Sequence, residues 1–265
     1  EHRALALPPR GLGYFLNFWK MRAAFPDAWL VFTNSFRGDL EAWLSGCPQR
    51  FGLVRPGKIR PLLSHAYRMP PDFDERTHHQ LELWENFLRH FGLNAPRDRT
   101  PLLPLASRLS LSAPFGLICG SENNPEKRWP VAHWRALIEA FPAERFLLFG
   151  TPVDAPIAGA VGAGFDAARV ENLAGRTDLP GFADRLRLCR LLVTNDTGGM
   201  HLANALGVPL LALFGPTNPI RTGPVFSAPA RILQPPGCPP TGGAALAGLT
   251  PDTVIAAVRA RLSLR

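Results

Sequence analysis

The sequence predicts an α/β protein in two lobes, and three observations predict it. From Pro114 onward, short apolar runs alternate with amphipathic stretches, the pattern of successive strand and helix units around a parallel sheet. Proline and glycine punctuate those stretches where helices begin and end. With 265 residues, 46% of them hydrophobic and 19% charged, the chain can also bury a core in each of two lobes.

In chain order, "AWLVFTN" (28–34) reads as a buried strand and "HHQLELWENFLRHFGL" (78–93) as an amphipathic helix closed by a glycine. Residues 1–97 are read as an N-terminal domain. Residues 98–113 carry prolines and polar residues without a period and read as a linker, which leaves 114–265 as the C-terminal domain. There "FGLICG" (115–120) is a strand, Pro130 suits a helix start, and Val131, Trp134, Leu137, Ile138 and Phe141 recur at helical spacing. The strand "RFLLFG" follows, then an alanine-rich helix near 155–163, a short strand into "ENLAG", a helix across "LPGFADRLRLC" and the strand "LLVTN" (191–195). The helix "GMHLANAL" ends at Gly207, a suitable left-handed cap, before "PLLALFG" returns as a strand. The second half is therefore Rossmann-like. No repeat of 20–50 residues is seen, and the 28 prolines are scattered as turns.

A formal charge of +8 favours an anionic partner, because the excess attracts phosphates, acidic glycans or a membrane surface. The charges are scattered and form no recognisable nucleic-acid-binding module, so nucleic acid is not the expected partner. Cys47, Cys119, Cys189 and Cys238 lie far apart, with no C-x-x-C pair and no histidine cluster at ligand spacing. Reduced thiols, no metal and a cytoplasmic location are expected. No run approaches the roughly 18 apolar residues of a membrane span. The opening "EHRALALPPRG" lacks Met and reads as the middle of a longer chain.

In open parallel sheets, ligands bind beyond the carboxyl ends of the strands. Two polar loops qualify by position, "SENNPEKRWP" (121–130) and "NDTGGMH" (195–201). In the second, Asp196 or Thr197 can cap a helix while Gly198 and Gly199 let a ligand approach the backbone; free N–H groups and the helix dipole then make an anion site. Lys127 and Arg128 supply positive charge, so the pair of loops suits a diphosphate. Taken singly, each feature has a plainer reading: a structural cap, a solvated basic pair, a structural His201.

The order of the pieces adds more. "GSENNPEKRWPVAHWRALI", "LLFGTPVDAPIA" and "NLAGRTDLPGFADRLRLCRLLVTNDTGGMHLANALGVPLLALFGPTNP" together resemble the C-terminal domain of glycosyltransferase family 9, the bacterial lipopolysaccharide heptosyltransferases. "TPDTVIAAVRARL" (250–262) resembles the family's closing helix, and "TNSFRGDLEAWLSGCPQRFGL" (33–53) the N-terminal domain of its heptosyltransferase II branch. The resemblance implies a GT-B enzyme, two Rossmann-like domains facing a cleft, here with an incomplete N-terminal domain. It implies an inverting, metal-independent transfer of heptose from an ADP-sugar to an acidic lipopolysaccharide core, without a cofactor and with peripheral contact at the inner membrane. Ser121 and Lys127 would contact the donor phosphates; Asp196, Thr197, Gly198, Gly199 and His201 would line the diphosphate and sugar; Asp154 would meet the adenosine ribose. Asn34, Ser35, Arg37, Arg50 and Arg55 would serve the acceptor, with Lys58 and Arg60 adding to the same basic half.

The family opens on a strand and a Ser-Leu-Gly-Asp loop whose aspartate is the base. This sequence has no such opening, so the base is expected upstream of Glu1, with Asp39 in "FRGDL" a poor substitute. Asn123 and Asn124 also stand where aromatic or glycine residues are common. The Asp72-x-Asp74 pair resembles the metal motif of GT-A enzymes but is flanked by prolines, and reads as a solvated loop with helix-capping acids. A non-catalytic nucleotide-sugar-binding module is the alternative from another class.

Overall fold

A computed structural model describes residues 11–94, 97–102, 112–121 and 124–263. Residues 103–111 of the expected linker and Asn123 of the donor loop lie outside them. The chain divides into two compact units, Glu1–Pro96 and Arg97–Arg265.

Within the described residues of the first unit, α1 (Leu12–Lys20) precedes β1 (Ala28–Val31), α2 (Phe36–Leu44), β2 (Gln49–Val54), β3 (His65–Arg68) and α3 (Gln80–His90). The strands form a parallel sheet in the order β1-β2-β3. Leu53, Tyr67, Leu83 and Phe87 form its core between sheet and α3. "AWLVFTN" is a strand as expected but not a buried one: only Val31 is buried, and Leu30 and Phe32 are exposed. The reason is position, since β1 is an edge strand in this sheet. The acids of the Asp72-x-Asp74 stretch do not cap α3. His79 does, accepting from Leu81 N at 3.1 Å, while Asp74 accepts from Arg76 N within its own turn.

The second unit runs β4 (Phe115–Ile118), α4 (Val131–Glu139), β5 (Phe146–Phe149), α5 (Ala155–Gly162), β6 (Val170–Asn172), α6 (Leu179–Arg187), β7 (Leu191–Asn195), α7 (Gly198–Ala205), β8 (Leu210–Leu213), α8 (Pro219–Thr222), β9 (Ala230–Leu233) and α9 (Pro251–Ser263). Its strands are all parallel in the order β6-β5-β4-β7-β8-β9, so the chain winds outward from β4 in one direction and then returns to wind the other way. This is the doubly wound Rossmann order, with its reversal between β4 and β7.

Side chains alternate across this sheet. Leu117, Leu148, Val193 and Leu211 face α4, α5 and α9, where Trp134, Ile138, Val161, Val254 and Val258 pack against them. Ile118, Leu147, Leu192 and Ala212 face the other way, against Leu186 of α6 and Met200 and Ala203 of α7. Each fully buried Leu or Ile contributes about 1.5 to 3 kcal/mol relative to exposure. That two-sided burial makes the strands read as unbroken apolar runs. Gly207 adopts φ 79°, the left-handed conformation expected at the end of α7.

Candidate functional site

A cavity of about 510 Å³ opens beyond the carboxyl ends of β4, β5, β6 and β7, entirely within the second unit and at the reversal of strand order. One wall is the loop after β4, with Gly120, Ser121, Asn124 and Lys127; facing it is the turn into α7, from Asp196 to Gly199. Thr151 and Asp154 after β5, and Thr177, Asp178 and Phe182 around the start of α6, close the remaining sides.

Seven of the residues expected from sequence meet there: Ser121, Lys127, Asp154, Asp196, Thr197, Gly198 and Gly199. Lys127 Nζ donates to Asp196 Oδ2 at 2.8 Å across 69 residues of sequence, with the carboxylate nearly buried and the ammonium partly exposed. Asp154 is buried. Its Oδ2 accepts from the backbone N–H and hydroxyl of Thr151 at 3.0 and 2.9 Å, whereas its Oδ1 has no hydrogen-bond partner among the described residues. Gly120 makes room for that carboxyl, since a Cβ there would lie 2.1 Å from Asp154 Oδ1.

Thr197 occupies the N-cap of α7 without a side-chain cap bond, and its buried Oγ1 likewise has no partner among the described residues. The first turn of α7 therefore offers its N–H groups and the positive end of its dipole toward the cavity. Gly199 allows the close packing of this turn: a Cβ would fall 2.4 Å from Ile118 Cδ1 and 3.2 Å from Phe182 Cζ.

Two expected donor residues are not among the lining. Arg128 turns back onto its own loop, donating from Nε and Nη2 to the Ser121 carbonyl at 3.2 and 2.9 Å, so it shapes the wall instead of facing the cavity. His201 is exposed, one turn into α7. Sequence reasoning missed Thr151, Asp178 and Phe182. Asp178 carried a usable signal, an acid just before an amphipathic helix, and it N-caps α6 through Gly181 N at 2.9 Å.

Burial decides two thiols of the second unit. It raises the Cys119 pKa well above the usual value, with the Asp154 charge adding to the effect, and pushes Cys189 up to about 12. Neither is a nucleophile at neutral pH. In the first unit, Asp39 is buried and held by Arg60, whose Nε lies 2.9 Å from Oδ2 and whose Nη2 contacts Oδ1. Ser35 caps α2, accepting from Gly38 N at 3.2 Å, and Arg37 pairs with Glu41 at 3.2 Å. Arg50 donates from Nε to the Leu62 carbonyl at 2.6 Å, and Arg55 pairs with Glu75. Asn34 is exposed beside Arg60.

A parallel sheet in the Rossmann order with an open, cation-bearing cavity at its switch point defines the ligand-binding class of doubly wound α/β proteins. The chain belongs to glycosyltransferase family 9 (heptosyltransferase), whose profile matches residues 22–241. Lipopolysaccharide heptosyltransferase 2 of Salmonella typhimurium is 36% identical over 253 residues, covering 88% of this chain and 71% of that protein. The Escherichia coli protein of the same name is 37% identical over 78% of this chain and 65% of its own length. Lipooligosaccharide heptosyltransferase 2 of Haemophilus influenzae is 38% identical over 45% of this chain and 36% of that protein, so the aligned share of these relatives varies widely. The solved structure of E. coli ADP-heptose LPS heptosyltransferase II superposes with a TM-score of 0.73 at 27% identity, over 94% of this chain and 80% of that one. No helix among the described residues is long and apolar enough to cross a membrane.

Proposed function

We propose that the chain carries the donor half of an inverting, metal-independent heptosyltransferase, which moves a heptose from an ADP-sugar to the lipopolysaccharide inner core. The observation that carries this reading is the convergence of Lys127 and the N-terminus of α7 on one cavity at the switch point.

In an inverting displacement, an acceptor hydroxyl attacks the anomeric carbon as the bond to the diphosphate oxygen breaks on the opposite face. Negative charge then builds on the departing diphosphate, and fixed donors aimed at it lower the barrier. Lys127, the N–H groups at Gly198 and Gly199, and the dipole of α7 supply that charge stabilisation, the task a metal performs in other transferases. Thr197 Oγ1 and Asp154 Oδ1, two buried cavity oxygens without a partner among the described residues, are assigned to hydroxyls of the sugar and the nucleoside. Ser121 completes the donor contacts, and Asp196 sets the position of the Lys127 ammonium. Arg128 acts through the Ser121 carbonyl, and His201 is left to the outer rim.

The acceptor hydroxyl gives up its proton to a general base. Asp39 is unsuited to that task because Arg60 already engages both of its oxygens. The first unit is the acceptor side, with Asn34 and Arg37 the residues best exposed for an acidic core; Ser35, Arg50 and Arg55 hold local structure. Docking at the inner face of the inner membrane belongs to the same reading, because the acceptor is a lipid.

Calorimetric titration with ADP and UDP tests the donor assignment. The expected result is one ADP site with clear preference over UDP. A correctly folded protein that bound neither would overturn the reading.

A further inference from the structure

At the opposite end of the second unit's sheet lies a smaller cavity of about 250 Å³, between the amino ends of β8 and β9 and the last turns of α9. Leu211, Ala257 and Ala260 give it an apolar floor and wall. Among the described residues, the charged ones lining it are Arg231 and Arg261, both cationic, and no carboxylate lines it. Arg231 is exposed, whereas the Nε of Arg261 is buried with no hydrogen-bond partner among the described residues. A buried guanidinium N–H without a partner carries a desolvation cost that an incoming acceptor can offset. Two like charges facing one recess also repel each other unless an anion sits between them.

We propose that this cavity binds the phosphate head of an anionic amphiphile, with Arg231 and Arg261 on the phosphate and the first carbons of the apolar chain over Leu211 and Ala257. Guanidinium groups suit this task because their planar forks match phosphate oxygens and carry little hydration to remove. The size limits the occupant: about 250 Å³ is below the roughly 300–1,000 Å³ of sites that enclose a whole drug-sized ligand, so the cavity takes the head and leaves the chain outside. The site is separate from the donor cavity, since the two open at opposite ends of the same parallel sheet, on different strands.

The test is calorimetry on the full chain with two probes, inorganic phosphate and dihexanoyl phosphatidic acid kept below its micellar concentration. It is repeated on the double variant R231Q/R261Q, whose difference from the parent isolates this cavity whatever the donor cavity does. The expected result is that the amphiphile binds roughly tenfold or more tighter than phosphate, and that the double variant weakens it by roughly tenfold or more. If the double variant fails to fold, Ala260→Glu, which sets a carboxylate at the rim, serves in its place and should produce the same loss. Sedimentation with phosphatidylcholine vesicles containing phosphatidic acid identifies the source: arginine-dependent pelleting assigns a bilayer headgroup, and titration without pelleting a dispersed amphiphile. Equal affinity for phosphate and amphiphile, or amphiphile binding untouched by a folded variant, would overturn the proposal.

Discussion

Lys127 and Asp196, 69 residues apart in sequence, meet at 2.8 Å across the mouth of the larger cavity. The pair couples the loop after β4 to the turn into α7 and holds the ammonium where a diphosphate would need it. Lys127→Ala is therefore expected to weaken ADP binding by about 1 to 3 kcal/mol, the range of a hydrogen bond to a charged group. Calorimetry on the variant measures this directly.

Asp196 should act in the reverse sense. It pairs with the lysine and places a negative charge beside the diphosphate position, where like charges repel. Asp196→Asn is expected to bind ADP more tightly than the parent. Weaker binding would show that the carboxylate accepts from the nucleotide.

The two glycines of α7 should separate folding from binding. Gly199→Ala drives a methyl into Ile118 and Phe182 and is expected to cost about 1 to 3 kcal/mol of stability, the range for overpacking a core. A Cβ at Gly198 meets nothing within 4 Å, so Gly198→Ala should unfold at the parent's temperature yet bind ADP less well, since its methyl enters ligand space. Thermal unfolding and calorimetry on the two variants provide the comparison.

In the first unit, Arg60→Ala strands the buried Asp39 carboxylate and is expected to destabilise that unit by about 3 to 5 kcal/mol. Replacing both residues with apolar ones of similar volume should recover most of the loss. Denaturant unfolding of single and double variants reads out the difference.

The thiols give a pH prediction. Cys189, raised to about 12 in the folded chain, stabilises the fold fully below the unfolded thiol's value of about 8.5, and that contribution fades as pH rises toward 12. At pH 8, alkylation of the native protein should reach the partly exposed Cys238 first and leave Cys119 and Cys189 unmodified, as mass spectrometry would show.

Legibility in the sequence followed burial. β4, β5, β7 and β8 are covered on both faces and read as apolar runs, so each is legible as a strand in the sequence. β9 has three exposed residues of four and sits at the sheet edge, and no apolar run announces it. β1 misled in the opposite direction, apolar in composition yet mostly exposed. The two glycine and basic loops of the cavity could be found by position, but its α6 wall could not, because only the crossover order brings Thr177 and Phe182 alongside Gly199. Nor does composition tell a basic side chain that faces a ligand from one that faces its own backbone, which is why Lys127 and Arg128 look alike in sequence and diverge in space.

One buried side chain ties the two main walls together. Asn195, at the end of β7, donates from Nδ2 to the carbonyls of Cys119 and Gly120 at 2.9 and 3.2 Å and accepts from Trp129 N at 3.3 Å; the Trp129 indole in turn donates to the Leu249 carbonyl at 2.8 Å. The two ends of the loop after β4 are thus tied to the end of β7, which preorganises the base of the cavity. A nucleotide entering it spends little of its contact energy on ordering loops, so association should be fast and free of a slow closing phase.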